Sequence, residues 1–268
     1  MKWYSISKTS RVPNISSELL RHYERLGLIH PVRKENGYRY FSFKEIDKLQ
    51  GIRRYRNMNF SLDQMDKLIY TAGYEEVGEL YAASLAKTQQ QLIWDQELLR
   101  ATEMIIEDWK EIGEGTGKCR QTVSRDILRV DMRHRDSIDE TLELDEVGEW
   151  IEKLPVVFIS PAFSREAILS GSGDVSFGYA VETEIFDRLG LKHIEGEQHI
   201  PPCRCVTTIV YSCAENYIGA HSLAPVVEYC REEGLNICGN AWGVTIGNCS
   251  REGVTYRYHR VFVPVEPS

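Results

Sequence analysis

Residues 19–41 read LLRHYERLGLIHPVRKENGYRYF, and this order decides the fold at one end of the chain. A helical pattern bearing Arg21, His22 and Tyr23 stops at Gly27, and a basic turn over 31–37 is closed by Tyr38, Arg39 and Tyr40. Upstream, Ser16 stands where an N-cap belongs, its hydroxyl free to accept an orphan N–H of the first helical turn. Asn14 occupies the tight turn before it, and asparagine tolerates a positive φ better than most residues. The pattern predicts a helix over 17–26 as the second member of a helix-turn-helix. A hairpin wing turning at Asn36-Gly37 then follows, with Tyr38, Arg39 and Tyr40 on its return strand.

Two further helices are expected, each opened by a capping box: Ser42 with Glu45, and Ser61 with Gln64. Between them Arg53, Arg54 and Arg56 cluster beside the turn Asn57-Met58-Asn59. The charge distribution agrees with a polyanion partner for this end alone. Residues 1–70 carry 14 Lys and Arg against 7 Asp and Glu, whereas the remainder carries 18 against 33, so the net −8 conceals a basic head on an acidic body. Ser17 and His22 are placed to reach bases or backbone at the N-terminal end of a groove-bound helix. Arg21 and Tyr23 suit phosphate contacts that fix register.

The order of helix-turn-helix, wing and capped helix pair resembles the MerR family of transcription regulators. The resemblance implies that Arg56, beside its turn, makes a flanking phosphate contact, and Tyr38, Arg39 and Tyr40 of the wing are expected to complete the DNA-binding set. It also implies a homodimer on a pseudo-palindromic promoter operator with an over-long spacer, acting together with RNA polymerase. An antiparallel arrangement of two long helices is implied as well.

A rod is legible over 75–112, which contains no proline and one early glycine, Gly78. Leu85, Leu92, Leu99 and Ile106 recur every seven residues, and Leu98, Ile105 and Ile112 form a companion row. A seven-residue repeat keeps one apolar seam turned toward a partner, over about 55 Å at 1.5 Å per residue. Thr88, Asp95 and Thr102 interrupt a strict heptad, which leaves packing of this helix on its own chain as the alternative. The expected arrangement is an antiparallel coiled coil between two subunits, because a winged head of this family needs a dimer to match a palindromic operator. Gly113, Gly115 and Gly117 then read as the end of the helix and a linker over 113–119.

From 120 to 268 the pattern changes to β-branched stretches at 126–132, 155–163, 177–186, 203–213, 242–247 and 254–265. Helical patterns lie at 139–154 and 220–234. Strand-helix-strand in each half predicts an internally duplicated α+β domain. The strand CRCVTTIVYS, the helix SLAPVVEYCREEGL and the ending YRYHRVFVPV resemble the GyrI-like effector-binding domain. The expected architecture is therefore a winged helix-turn-helix over 1–74, a dimerisation helix over 75–112, the linker, and a GyrI-like domain over 120–268.

That resemblance implies a small-molecule effector, flat and apolar, held between aromatic walls and a carboxylate. Phe158, Tyr179, Tyr211, Trp242, Tyr256 and Tyr258 are the candidate walls. Alternation puts Tyr256, Tyr258, Arg260 and Phe262 on one face of the last strand. Arg260 stands where the family often has a glutamate. Glu182 and Glu184, expected on one face of the strand GYAVETEIF, are candidates either to replace that charge or to neutralise Arg260.

Seven cysteines include Cys203 and Cys205, expected on one face of a strand as half of a thiolate site. Metal sensors of the MerR family place cysteines elsewhere, so a metal- or thiol-responsive regulator is the alternative reading, and no metal or cofactor is expected. A pocket glutamate near Tyr179 leaves hydrolase chemistry as a further alternative. No phosphate loop, nucleophile elbow or HExxH is present, and the expectation is a non-enzyme. No apolar run is long enough to span a membrane and the start lacks a signal-peptide h-region, which points to the cytoplasm.

Overall fold

The computed structural model describes residues 2–11, 13–134, 137–138 and 144–267. The chain divides into two compact units, Met1–Gln91 and Leu92–Ser268.

In the first unit, β1 (Trp3–Ser5) leads into α1 (Ile6–Arg11) and α2 (Ser17–Arg25). Asn14 takes φ 50° between the two helices, and the Ser16 hydroxyl accepts the Leu19 N–H at 3.1 Å. A cap of this kind contributes about 1 kcal/mol to the helix. The wing consists of β2 (Val32–Arg33) and β3 (Arg39–Ser42), with Gly37 at φ 75° in its turn. β1 adds to the other edge of β3, a pairing the sequence reading did not include.

Next come α3 (Phe43–Asn57) and α4 (Leu62–Tyr70). The box at Ser61 and Gln64 is reciprocal. The expected box at Ser42 is only half formed. Its hydroxyl accepts the Glu45 N–H, but the Glu45 carboxylate turns inward to the His30 N–H and to Lys48. Tying the loop after α2 to the start of α3 in this way satisfies a part-buried N–H. Leu20, Tyr23, Leu28, Ile29, Phe41, Leu49, Ile52 and Phe60 form the core.

Helix α5 (Tyr74–Glu114) is continuous for 41 residues. It outruns the expected end because Gly113 stays helical, and Gly115, at φ 117°, is where the chain turns away. The segment after it is tethered: the Gly117 N–H donates to the Ile209 carbonyl, and Cys119 packs against buried core.

The second unit is built on an antiparallel sheet. Its strands are β4 (Arg120–Val123), β5 (Ile127–His134), β6 (Ser137–Ile138), β7 (Phe158–Phe163), β8 (Ser176–Glu182), β9 (Gln198–Ile200), β10 (Arg204–Ser212), β11 (Leu235–Ile237), β12 (Ala241–Arg251) and β13 (Val254–Pro267). Helices α6 (Leu144–Ile151), α7 (Arg165–Ser170), α8 (Thr183–Leu189) and α9 (Ala224–Glu232) cover it, with a 3-10 turn, Ala220–Leu223, leading into α9. Residues 139–143 of the helix expected over 139–154 lie outside the described residues.

The central strand order is β10-β13-β12-β7-β8-β5. In each half the first strand is outermost, the third lies in the middle and the second faces the seam, with a helix between the first and second strands. The two halves thus repeat one strand order, in keeping with the strand-helix-strand pattern expected in each. At the seam, β12 and β7 pair through Ala241–Phe163 and Trp242–Ala162. One expected strand is shorter than its apolar stretch. β8 ends at Glu182, and Thr183–Leu189 is helical, so Glu184 does not share a strand face with Glu182. Hydrophobic pattern alone does not separate a strand from the short helix that continues it.

Candidate functional site

The head presents a mixed set of the residues picked from sequence. Ser17, Arg21 and His22 lie on α2 away from its buried face; Arg21 is exposed, and Ser17 and His22 are half-buried. Tyr23 is corrected: at 1% exposure its ring belongs to the core, because it lies on the Leu20 side of the helix, which faces inward. Tyr38 projects from the wing tip, just before the return strand begins. Tyr40 accepts from the Asn36 amide and carries Lys34 over its ring at 4.5 Å, which stiffens the turn. Arg39 is held by Glu24 at 2.5 Å, so its guanidinium locks the wing to α2. Arg53, Arg54 and Arg56 are exposed on α3, and Asn59 turns the chain beside them at φ 61°.

In the second unit a cavity of about 330 Å³ opens at the seam. Its floor comes from Phe158 and Ile159 on β7 and from Val244–Asn248 on β12, where a bulge falls between Thr245 and Gly247. Its roof is α5, through Glu97, Arg100, Ala101, Met104, Ile105 and Asp108. The volume lies at the lower end of the range that small ligands occupy. Most of the wall is aliphatic.

The charges around it are largely paired. Glu182 accepts from Arg100 at 2.7 Å and from Arg125 at 2.9 Å. Glu97 is 2% exposed; one of its oxygens meets Arg188 at 2.5 Å, and the other accepts no hydrogen bond but lies 3.8 Å from the Arg100 guanidinium. A carboxylate oxygen left so attracts a hydrogen-bond donor or a cation.

Arg260 lies beyond this cavity, lining a second, open hollow of about 810 Å³. It is buried, donating to Asp108 at 2.7 Å and to Glu111 at 2.6 Å, both on α5. Its charge is therefore neutralised by the rod, not by Glu182 or Glu184, and it is not free to repel a cationic ligand. Burial pushes Asp108 above its ordinary value against the pull of Arg260. Glu111, although burial opposes it, is drawn below its ordinary value by hydrogen bonds from Arg260 and Arg120.

Of the six aromatic candidates, Phe158 reaches the cavity wall and the other five do not. Trp242 stacks between Phe158 and Phe262 in the core. Tyr258 packs on Trp109 of α5 and, with Tyr256, on Tyr211. Tyr179 packs at the edge of the β5–β8 core, and Glu184 is solvent-exposed on α8. Glu182 does line the cavity. The sequence reading missed the whole roof. Its one signal was the row Leu98, Ile105 and Ile112, whose members turn toward the sheet.

Among the described residues no three His, Cys, Asp or Glu side chains are grouped so as to hold a metal ion, and no helix is long and apolar enough to cross a membrane.

Residues 4–71 match the family model described as MerR HTH family regulatory protein. The mercuric resistance operon regulatory protein of Bacillus cereus is 35% identical over 102 residues, covering 36% of this chain and 75% of that one. A probable heavy metal-dependent transcriptional regulator of Haemophilus influenzae is 31% identical over 117 residues, covering 41% and 88%. The multidrug-efflux transporter 2 regulator of Bacillus subtilis is 30% identical over 69 residues, covering 25% of each chain. Among solved structures, an EcmrR–DNA complex aligns with 99% of this chain at 13% identity and a TM-score of 0.38.

Proposed function

The chain belongs to the MerR family of helix-turn-helix regulatory proteins, and from that premise we propose that it is a ligand-responsive transcription regulator, acting as a homodimer on double-stranded promoter DNA. The exposed face of α2, the wing and Arg56 would meet a pseudo-palindromic operator, and RNA polymerase would be the partner at the promoter. The second unit, whose mirrored sheet fits a GyrI-like effector domain, would take a small aromatic or apolar molecule, and the chain would act as an activator rather than an enzyme.

One observation carries this reading. Helix α5 roofs the cavity with Ala101, Met104 and Ile105, while Leu92, Leu99 and Ile106 stand exposed along the same helix. A ligand in the cavity therefore touches the element proposed to join the subunits. Coupling between two sites requires such a shared element with two arrangements. Because the acidic groups at the cavity are engaged by arginines, with one Glu97 oxygen accepting no hydrogen bond although Arg100 lies 3.8 Å away, the favoured effector is an apolar aromatic, neutral or singly cationic.

The relatives named for heavy metals keep a metal-responsive reading in view. The aliphatic cavity favours the organic effector. A thermal-shift screen of the full-length protein tests it with neutral aromatics, lipophilic cations and organic anions. Ligand at roughly a hundredfold excess over its Kd stabilises the folded state by about 2.7 kcal/mol. Neutral or cationic aromatics should raise the midpoint by several degrees, and Ala101→Trp, which fills the cavity, should abolish that rise. Stabilisation by anions alone would refute the assignment.

A further inference from the structure

The segment Cys203-Arg204-Cys205 opens β10 at the edge of the aromatic cluster formed by Phe158, Trp242 and Phe262. Side chains two apart on an extended chain project to the same side, and here the two sulfurs lie 3.5 Å from each other. Ser124 brackets the first of them. Its N–H donates to the Cys203 carbonyl at 2.8 Å, its hydroxyl accepts the Cys203 N–H at 3.0 Å, and the same hydroxyl lies 3.6 Å from the Cys203 sulfur. Cys203 is partly exposed whereas Cys205 is fully buried. A reagent from solvent thus meets Cys203 first and Cys205 second.

The spacing selects the chemistry. A disulfide needs sulfurs at about 2.05 Å and Cβ atoms near about 3.8 Å. Residues i and i+2 of an extended chain are separated by about 6.6 Å along the strand, so direct bonding would distort it. A single atom bonded to both sulfurs is a better match, since two thiolates held at about 2.3 Å on one tetrahedral centre lie a little under about 4 Å apart. Zinc would require four ligands, whereas the two sulfurs stand beside a single hydroxyl. Trivalent arsenic makes three bonds in a pyramid, two to sulfur and one to its own carbon or oxygen substituent. Burial pushes the Cys205 thiol up to about 12, which disfavours a site that needs two free thiolates but not one formed by condensation of thiols.

We propose that Cys203 and Cys205 form a dithiol site for trivalent arsenicals. An arsine oxide condenses with both thiols: two As–S bonds form, the As–O bond breaks, and the two thiol protons leave with that oxygen as water. Arsenic remains trivalent and nothing is oxidised. The aryl group of an organic arsenical would lie against the aromatic cluster. Phe158 belongs both to that cluster and to the cavity wall, so the two sites adjoin, but the dithiol site does not depend on what fills the cavity.

The test uses full-length reduced protein and one equivalent of phenylarsine oxide, read by intact mass and by peptide mapping after alkylation. One phenylarsine adduct with loss of one water should appear. It should survive excess 2-mercaptoethanol, be removed by 2,3-dimercaptopropanol, and protect Cys203 and Cys205 from alkylation in the unmodified sequence. Cys203→Ala and Cys205→Ala should each weaken capture at least tenfold, and Cys119→Ala and Cys238→Ala should leave it unchanged. Protection of a different cysteine pair, retention of the adduct in either site variant, or reversal by the monothiol would overturn the proposal.

Discussion

His259 sits in the middle of β13, paired across to Val210 on one side and Thr245 on the other. It is fully buried, its ring nitrogens facing the Ser212 and Thr245 hydroxyls at 3.4 and 3.1 Å. Burial, with a smaller contribution from Arg257, lowers its pKa to about 3. In the unfolded chain the same group titrates near 6.5. The folded state thus holds the neutral ring. Its contribution to stability is whole above about pH 6.5 and is lost as the pH falls toward 3, at up to about 1.4 kcal/mol per pH unit. Denaturant midpoints for the native sequence and His259→Gln should therefore converge as the pH is lowered from 6.5 to 4. Parallel curves would show that His259 does not titrate in this window. Arg260, one residue on, shows why a site is only partly legible in a sequence. Alternation placed it on the Tyr258 face, where it is found, but its partners Asp108 and Glu111 lie 152 and 149 positions earlier, and no local pattern announces them.

Helix α5 combines two readings that the sequence left in competition. The face bearing Trp94, Leu98, Ala101 and Ile105 packs on the second unit, while Leu85, Leu92, Leu99 and Ile106 remain 59, 57, 61 and 48% exposed. The interruptions in the heptad at Thr88 and Thr102 are side chains that bond back to the carbonyl four residues earlier, a local use of a hydroxyl that does not need the seam. Covering each exposed apolar side chain in a dimer contributes about 1–2 kcal/mol, summed over both copies. Leu92→Asp with Leu99→Asp should accordingly halve the mass seen by light scattering to the 30.9 kDa of one chain, with its helical content unchanged. A dimer that persists would place the interface elsewhere. Long periodic elements and capped turns were readable because their signals are local: the N-cap at Ser16, the positive φ at Asn14 and the 41-residue helix were each anticipated in kind. The cavity was not. Its floor and roof come from β7, β12 and α5, and of the aromatics picked for its walls only Phe158 reaches it, whereas Trp242 is drawn into a core stack with Phe158 and Phe262.

Over the whole molecule, the division of charge sets how the chain would approach DNA. The first 70 residues are net positive and the remainder strongly negative, so affinity for a polyanion rests on a small number of cations and is opposed at long range by the rest of the chain. Among the arginines of the head, Arg39 is committed to Glu24 and fixes the wing to α2. Arg56 is exposed beside the turn at Asn59, and among the described residues no carboxylate is paired with it. The two should therefore behave differently from each other, although sequence alone treated them alike. Arg56→Ala should weaken binding on the order of tenfold, equally for operator and unrelated duplex. It should also make the plot of log affinity against log salt shallower by about 1, the release of one phosphate's counterion, without a change in thermal midpoint. Arg39→Ala should lower the midpoint as well, since it removes the closer of the two arginines paired with part-buried Glu24, leaving Arg33 at 3.8 Å, and loosens the wing. Fluorescence anisotropy across a salt series on both duplexes reads both effects. If Arg56→Ala changes preference between duplexes while leaving the salt slope intact, Arg56 reads bases, and the phosphate assignment falls.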